Sequence, residues 1–159
     1  MISLQVSISK QELDVYEEDA LKKTYLISTA KNGAGEEWGS EKTPRGKHII
    51  RAKIGAGHAS NTVFIGRRPT GEIYTRELKL QYPKRDWILT RIFWLSGLEV
   101  GKNRLYSVDT MRRYVYIHGT PDEEPMGTPY SKGCIRMRNV DIIELFDSIP
   151  YATIVQINE

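Results

Sequence analysis

The run Ser131-Lys132-Gly133-Cys134-Ile135-Arg136-Met137 contains the only cysteine of the chain. Sixteen positions before that cysteine, His118 stands in the run Ile117-His118-Gly119-Thr120. A lone thiol has no disulfide partner within the chain, so Cys134 is either a buried small hydrophobic residue or a nucleophile. Spacing alone favours the buried residue, because free cysteine is among the most buried residue types.

The local context of the two residues favours the nucleophile. Cys134 lies in a polar, glycine-containing stretch before an expected helix, and His118 ends an expected strand. An imidazole in such a place can take the proton of a thiol, whose ordinary pKa is about 8.5. Gly133, directly before the cysteine, also allows a substrate carbonyl to approach nearby backbone N–H groups.

Length and composition predict a single domain over residues 1–159 with room for a hydrophobic core. The net charge of +3 comes from 23 basic and 20 acidic residues scattered along the chain, so no nucleic-acid partner is expected. His48 and His58 lack metal-ligand spacing with a cysteine. We therefore expect neither a metal site nor another cofactor.

The first eight residues lack a basic segment, a continuous apolar segment and a small-residue cleavage site, as a signal peptide would require. No stretch approaches the roughly 18 apolar residues that span a bilayer. We therefore expect a cytoplasmic protein with no membrane partner. The location would be periplasmic if a signal peptide has been removed from the chain.

Most of the chain shows patterns typical of β-strands. Apolar and polar residues alternate over residues 2–9, which predicts a strand with one buried face. The segment 87–95 fits a strand or a short helix, because its apolar residues also have helical spacing. Further strands are expected at the apolar, β-branched or aromatic runs 25–27, 48–54, 62–66, 114–117 and 153–157.

One helix is predicted after the cysteine run. Asn139 can cap it, and Pro150 ends the segment. Val140, Ile143 and Phe146 are expected on its apolar face, with Ile142 and Leu145 beside it. The predicted fold class is therefore mainly β, with a helix that follows the cysteine loop.

Together, His118-Gly119-Thr120 and Ser131-x-Gly133-Cys134-Ile135-Arg136-Met137 resemble the motif of the L,D-transpeptidase catalytic domain, also called the YkuD domain. Ser28-Thr29-Ala30, the glycine-bearing loop after it and Thr43-Pro44-x-Gly46 are similar to the front half of that domain. The resemblance covers most of the chain, from about the second strand to Arg138. It implies a β-sandwich-like fold and a cysteine enzyme that attacks murein stem peptides, at the bond between the L-centre of a diamino acid and the next D-amino acid.

The resemblance implies that Cys134 is the nucleophile and that His118 is the general base and acid. The backbone carbonyl of Gly119 would orient the imidazole in place of a side-chain carboxylate. The general requirements of acyl transfer agree with these roles, because the reaction needs a nucleophile, a base within reach and hydrogen-bond donors for the developing oxyanion.

The resemblance implies that the remaining motif residues shape the loop that carries Cys134 or bind the substrate there. Backbone N–H groups around Gly133 and Cys134 would form the oxyanion hole, and Ser131 would help shape the loop. Arg136 would steady the loop or bind a substrate carboxylate. Many members carry histidine where this chain has Lys132, whose charge either lowers the pKa of the thiol or is simply solvated.

An acyl-enzyme on Cys134 can be resolved by water or by an amine. Water removes the terminal D-alanine of a tetrapeptide, and recycled soluble muropeptides lie in the cytoplasm, so we predict an L,D-carboxypeptidase of peptidoglycan recycling. The alternative is a periplasmic L,D-transpeptidase that cross-links peptidoglycan or exchanges D-amino acids. A non-catalytic module that binds stem peptides and an unrelated protein with a buried cysteine stay open. The expected partners are a murein tetrapeptide or muropeptide and a covalent carbapenem inhibitor.

Overall fold

Ten β-strands and two short α-helices form the regular structure of the computed structural model, which describes all residues from Met1 to Glu159. The strands are β1 (Ile2–Ser7), β2 (Glu12–Glu17), β3 (Ala20–Leu26), β4 (Gly46–Ile54), β5 (Thr62–Ile65), β6 (Arg68–Ile73), β7 (Ile88–Gly97), β8 (Tyr116–Gly119), β9 (Ile135–Met137) and β10 (Ile154–Asn158). The helices are α1 (Arg76–Gln81) and α2 (Asn139–Ser148), and a 3₁₀ turn lies at Tyr106–Val108.

All ten strands join one mixed sheet, with eight of them in the order β3-β2-β1-β10-β4-β7-β5-β6. Strand β8 pairs with β7, and β9 pairs with β8. The pairs β1–β10 and β8–β9 are parallel, and the other pairs are antiparallel. The predicted fold class, mainly β with a helix after the cysteine loop, is confirmed.

The alternation in β1 places one row of side chains in the core. Leu4 and Val6 have no exposed surface, as the period of two predicts. On the neighbouring strand β10, Val155 and Ile157 are buried in the same way. Full burial of such a side chain stabilises the fold by about 1.5–3 kcal/mol. The two ends of the chain therefore contribute to the same core.

Most of the segment 87–95 lies in strand β7, which begins at Ile88, so the segment is extended and not helical. The strand pairs with β4 and then β5 along one edge and with β8 along the other. Most of its residues are buried, because neighbouring elements cover both of its faces. A strand that is covered on both faces loses its alternation, so its apolar residues can also match a helical spacing.

The predicted cap of α2 is wrong. The N-cap residue is Arg138, without a side-chain capping bond, because the buried amide of Asn139 bonds residues outside the helix. The apolar face is also shifted, since Val140 is 72% exposed. The buried residues of this face are Ile142, Leu145 and Phe146.

Eighteen buried residues form the main core, and they come from both ends of the chain, the middle of the sheet and α2. Helix α1 and strand β6 contribute no buried residue, which explains why hydrophobic patterning did not predict them. No helix in the structure is both long and apolar enough to cross a membrane.

Candidate active site

Strands β8 and β9 bring the two sequence motifs together. They run parallel, with Ile117 opposite Ile135 and His118 opposite Arg136. Ile117 and Ile135 are fully buried in the main core. Because successive side chains of a strand point to opposite faces, His118 and Arg136 project from the other face, as does Cys134 directly before β9. The register therefore places the thiol and the imidazole on one face of neighbouring strands.

Cys134 is partly exposed and is a free thiol. The backbone N–H of Tyr116 donates to its Sγ at 3.3 Å, and the thiol can donate to the carbonyl oxygen of Tyr114 at 3.5 Å. The side chain packs beside a small apolar cluster that includes Phe64 and Ile92. Burial raises the pKa of the Cys134 thiol to about 12, although the Tyr116 N–H opposes the shift. The resting residue is therefore a neutral thiol at neutral pH.

His118 is fully buried, with one ring nitrogen bonded and the other without a partner. Its Nδ1 lies 2.6 Å from the carbonyl oxygen of Gly119, which can only accept a hydrogen bond. Nδ1 therefore carries the proton in the neutral ring, and Nε2 presents a lone pair. Burial lowers the pKa of His118, against the opposing charge of Asp86. The residue is thus a neutral imidazole with a free basic nitrogen.

These pKa shifts predict the pH dependence of thiol alkylation. Burial disfavours the thiolate, so its fraction should fall about tenfold for each pH unit below the raised pKa. We expect the alkylation rate of Cys134 by iodoacetamide to keep rising from about pH 7 to about pH 10, with denatured protein levelling off near pH 9 as the control. A rate that is already constant from about pH 7 would show a preformed thiolate and contradict this.

The cysteine loop is held by hydrogen bonds of its own residues. The Ser131 hydroxyl donates to the Cys134 carbonyl at 2.5 Å and accepts from the Gly133 N–H at 3.2 Å. Thr43 donates to the Gly133 carbonyl at 3.0 Å. Gly133 has a φ of +129°, which a side chain would disfavour. Because its N–H is engaged by Ser131, the oxyanion role of Gly133 stays a prediction that requires this bond to open.

Arg136 has a 13% exposed side chain and lies between two acidic side chains. Its Nη2 is 3.3 Å from Asp86 Oδ1, and its Nη1 is 3.8 Å from Glu124 Oε2. Its Nε is buried without a partner. Of the two predicted roles for Arg136, these ion pairs favour the steadying of neighbouring segments, because its charge is already compensated.

Asn139 is a residue of the site region that sequence reasoning missed. Its Nδ2 donates to the Thr120 carbonyl at 2.9 Å and lies within bonding distance of Asp122 and Asn61, at 3.1 and 3.0 Å. Its Oδ1 accepts from Thr90 at 2.5 Å. The amide therefore ties the start of α2 to β7 and to the segment after His118. A polar residue at a helix start is equally typical of a cap, so the sequence signal was ambiguous.

The thiol opens onto a cleft of about 530 Å³. Three cationic side chains line it, Arg67, Arg113 and Lys132, and the only acidic one is Asp86. Since Asp86 is paired with Arg136, the cleft carries an uncompensated positive charge and favours an anionic ligand. Tyr114 and Tyr116 also line the cleft, whereas Tyr130 is exposed outside it.

A thiol, a neutral imidazole held by a backbone carbonyl and a cationic cleft are the parts that a cysteine acyl-transfer enzyme requires. On this mainly β fold they make a candidate active site of that class. The family model of the L,D-transpeptidase catalytic domain, YkuD, matches residues 2–157. The chain belongs to this family.

Known proteins agree with this assignment. The chain is 27% identical over 154 residues to the protein assigned as L,D-transpeptidase YkuD of Bacillus licheniformis, covering 97% of this chain and 64% of that relative. L,D-transpeptidase 3 from Mycobacterium tuberculosis, solved with a faropenem-derived adduct, has a TM-score of 0.61 and 14% identity, covering 99% of this chain and 60% of that one. LD transpeptidase LdtMt1 in complex with imipenem has a TM-score of 0.59 and 17% identity, with 99% and 58% coverage. At these identities the solved structures show a shared fold, and the chain spans less than two thirds of each relative.

Proposed function

We propose that the chain is a cysteine-dependent acyl-transfer enzyme acting on the L,D peptide bond of murein stem peptides. The observation that carries the proposal is the register of β8 and β9, which sets Cys134 and His118 on one face. The unpartnered Nε2 of His118 supports it, because a general base needs a free lone pair. Family membership supports the substrate class, and the cationic cleft suits a peptide that carries carboxylates.

In the proposed reaction, His118 Nε2 takes the thiol proton as Sγ attacks the carbonyl carbon of the L-centre. A C–S bond forms, and the tetrahedral intermediate then collapses with loss of the C–N bond. The imidazolium gives its proton to the departing amine of the D-amino acid, which leaves a thioester on Cys134. The Gly119 carbonyl holds the Nδ1–H throughout and stabilises the positive ring. Burial raises the pKa of the thiol, which favours proton transfer during the attack over a preformed thiolate.

The thioester is resolved by the second substrate. The names of the relatives support an amine acceptor, which gives transpeptidation or exchange of D-amino acids. Water gives the L,D-carboxypeptidase reaction that the sequence analysis predicts, and the cytoplasmic location remains part of that proposal. Fractionation of the native host would test the location independently of the chemistry.

Mass spectrometry of a murein tetrapeptide incubated with the purified protein tests the proposal and its two outcomes. A competing D-amino acid is present, and the Cys134→Ala variant is the control. Loss of the terminal D-alanine alone would identify a carboxypeptidase, and incorporation of the added D-amino acid or dimer formation would identify a transpeptidase. An unchanged tetrapeptide under all conditions would contradict the proposed function.

A carbapenem is the proposed covalent inhibitor. The complex of LdtMt1 with imipenem supports this choice, since that protein shares the fold of this chain. Opening of the β-lactam ring by Cys134 would leave a thioester without a leaving group that can diffuse away.

A further inference from the structure

Arg67 is a cation of the cleft that has no acidic partner. Its guanidinium lies over the ring of Trp94, 4.4 Å from the ring centre, and 5.0 Å from that of Tyr114. Its Nη1 donates to the hydroxyl of Tyr116 at 3.0 Å. No carboxylate oxygen lies within 4.0 Å of its nitrogens. Two aromatic rings and a phenol therefore hold a planar charged group in place beside the thiol.

The backbone at Arg67 adopts a conformation that its side chain disfavours. Gly66 and Arg67 form the two-residue loop between β5 and β6, with φ values of +57° and +64°. Hairpin loops with two positive φ values strongly favour asparagine followed by glycine. An arginine in the second position is strained, since its Cβ crowds the backbone in the left-handed region. The geometry of the turn therefore gives no reason for an arginine at this position. Backbone strain of this kind is characteristic of functional sites.

The other cations of the cleft are less suited to a ligand. The guanidinium of Arg113 donates to the carbonyl oxygens of Glu36 and Lys42, at 3.1 and 2.7 Å, and also contacts Gly35 and Ser40. Lys132 is exposed and presents a single, flexible ammonium group. In contrast, Nε and Nη2 of Arg67 donate to no protein atom, so one whole edge of its fork is free for two parallel bonds to a carboxylate.

Tyr116 links this fork to the thiol. Its backbone N–H donates to Cys134 Sγ, and its hydroxyl accepts from Arg67. Tyr116 therefore contacts the sulfur with its backbone and the guanidinium with the end of its side chain. In a peptide cut before its last residue, the terminal carboxylate lies a single residue from the attacked carbonyl. Such a peptide would reach Arg67 by extending its terminal residue along the side chain of Tyr116.

We propose that Arg67 is a specificity residue that binds the free C-terminal carboxylate of the acyl donor, on the D-amino acid that departs. The inference rests on the proposed function and goes beyond it. It names the residue by which the cleft would select peptides that end at the residue after the scissile bond, and it gives the strained turn between β5 and β6 a role in substrate choice.

Alkylation of Cys134 tests this inference without a peptide substrate. Iodoacetate and iodoacetamide are similar in size and attack the same thiolate, but only iodoacetate carries a carboxylate. The ratio of their rate constants therefore cancels any change in thiolate fraction. At alkaline pH and low salt we expect the ratio of the iodoacetate rate constant to the iodoacetamide rate constant to be about tenfold lower in Arg67→Gln than in wild type. The variant lacks the charge-assisted hydrogen bond to the carboxylate of the reagent.

Arg68→Gln is the matched control for this experiment. It makes the same change of charge one residue away, at an exposed position that does not line the cleft, so we expect it to keep the wild-type ratio. Arg67→Gly separates binding from folding, because glycine suits the positive φ. We expect the ratio of the two rate constants to fall in Arg67→Gly as it does in Arg67→Gln, with an unchanged or higher melting temperature. Equal ratios in wild type, Arg67→Gln and Arg68→Gln would overturn the inference.

A second readout uses the tetrapeptide and its C-terminal amide. We expect wild type to prefer the acid in kcat/KM, and Arg67→Gln to lose most of that preference. If the tetrapeptide is cleaved but Arg67→Gln retains the preference, the inference fails and the proposed function stands. If wild type cleaves neither peptide, the proposed function fails, while loss of the alkylation ratio in Arg67→Gln would still support a carboxylate site at Arg67.

Discussion

Replacing Cys134 by alanine is expected to reduce turnover of a murein tetrapeptide by about 10⁵-fold or more, because removal of a nucleophile eliminates the covalent route. The same variant should form no adduct with imipenem. Intact-protein mass spectrometry checks the adduct, since wild type should gain the mass of one carbapenem molecule. Product analysis by mass spectrometry checks the turnover.

Cys134→Ser is the matched variant for folding. Its hydroxyl can still accept from the Tyr116 N–H, whereas alanine leaves that donor without its partner. Both variants should remain folded, because Cys134 is a partly exposed residue beside a small cluster and not a member of the main core. A folded Cys134→Ala protein that still cleaves the tetrapeptide would exclude Cys134 as the nucleophile. An inactive wild type that still binds the peptide would indicate the binding module.

Replacing Gly119 by alanine is expected to lower the free energy of unfolding by about 2–3 kcal/mol, because the new Cβ overpacks a closed space. That Cβ would lie 2.5 Å from Asn139 Oδ1 and 2.6 Å from the Leu89 carbonyl oxygen. Leu89 is the strand partner of Gly119 in β7, so its backbone cannot move aside without a change in the sheet. Because the Gly119 carbonyl also holds Nδ1 of His118, activity should fall with stability. Thermal or urea unfolding measures the first effect.

Gly101→Ala is the control for this prediction. Gly101 has a φ of +85° and no heavy atom within 4 Å of an added Cβ. Alanine there should cost about 1 kcal/mol through its backbone conformation alone, with unchanged activity. If Gly119→Ala is no less stable than Gly101→Ala, the close packing of the strand at Gly119 is not a constraint on this fold.

The family motif was readable from the sequence because its residues are close together in the chain. His118-Gly119 and the run through Cys134 each form a short local unit, and each occupies one strand or its edge in the structure. Local alternation likewise identified β1, where one face meets the core. Patterning left β7 open between a strand and a helix, because that strand is covered on both faces, and it did not predict β6 and α1, which bury no residue at all.

The assignment of cations in the cleft could not have been made from the chain alone. Nothing in the sequence distinguishes the charge of Arg67 from that of Arg136, and the motif gave Arg136 two predicted roles, steadying the loop or binding a substrate carboxylate. In the structure Arg136 is paired with Asp86 and Glu124, while Arg67 lies on two aromatic rings without an acidic partner. Whether a charge is free depends on which distant side chains surround it.

The sequence by itself determined the mainly β fold class, the helix after the cysteine loop and the membership of the chain in the L,D-transpeptidase catalytic domain family, because local periodicity and contiguous motifs carry that information. Only the tertiary structure decided which groups are engaged and which are free. The parallel register of β8 and β9 sets Cys134 and His118 on one face of the sheet, Asn139 ties α2 to β7, and Arg67 remains without an acidic partner in the cleft. These features arise from contacts between residues far apart in the chain, and no local pattern of side chains specifies such contacts.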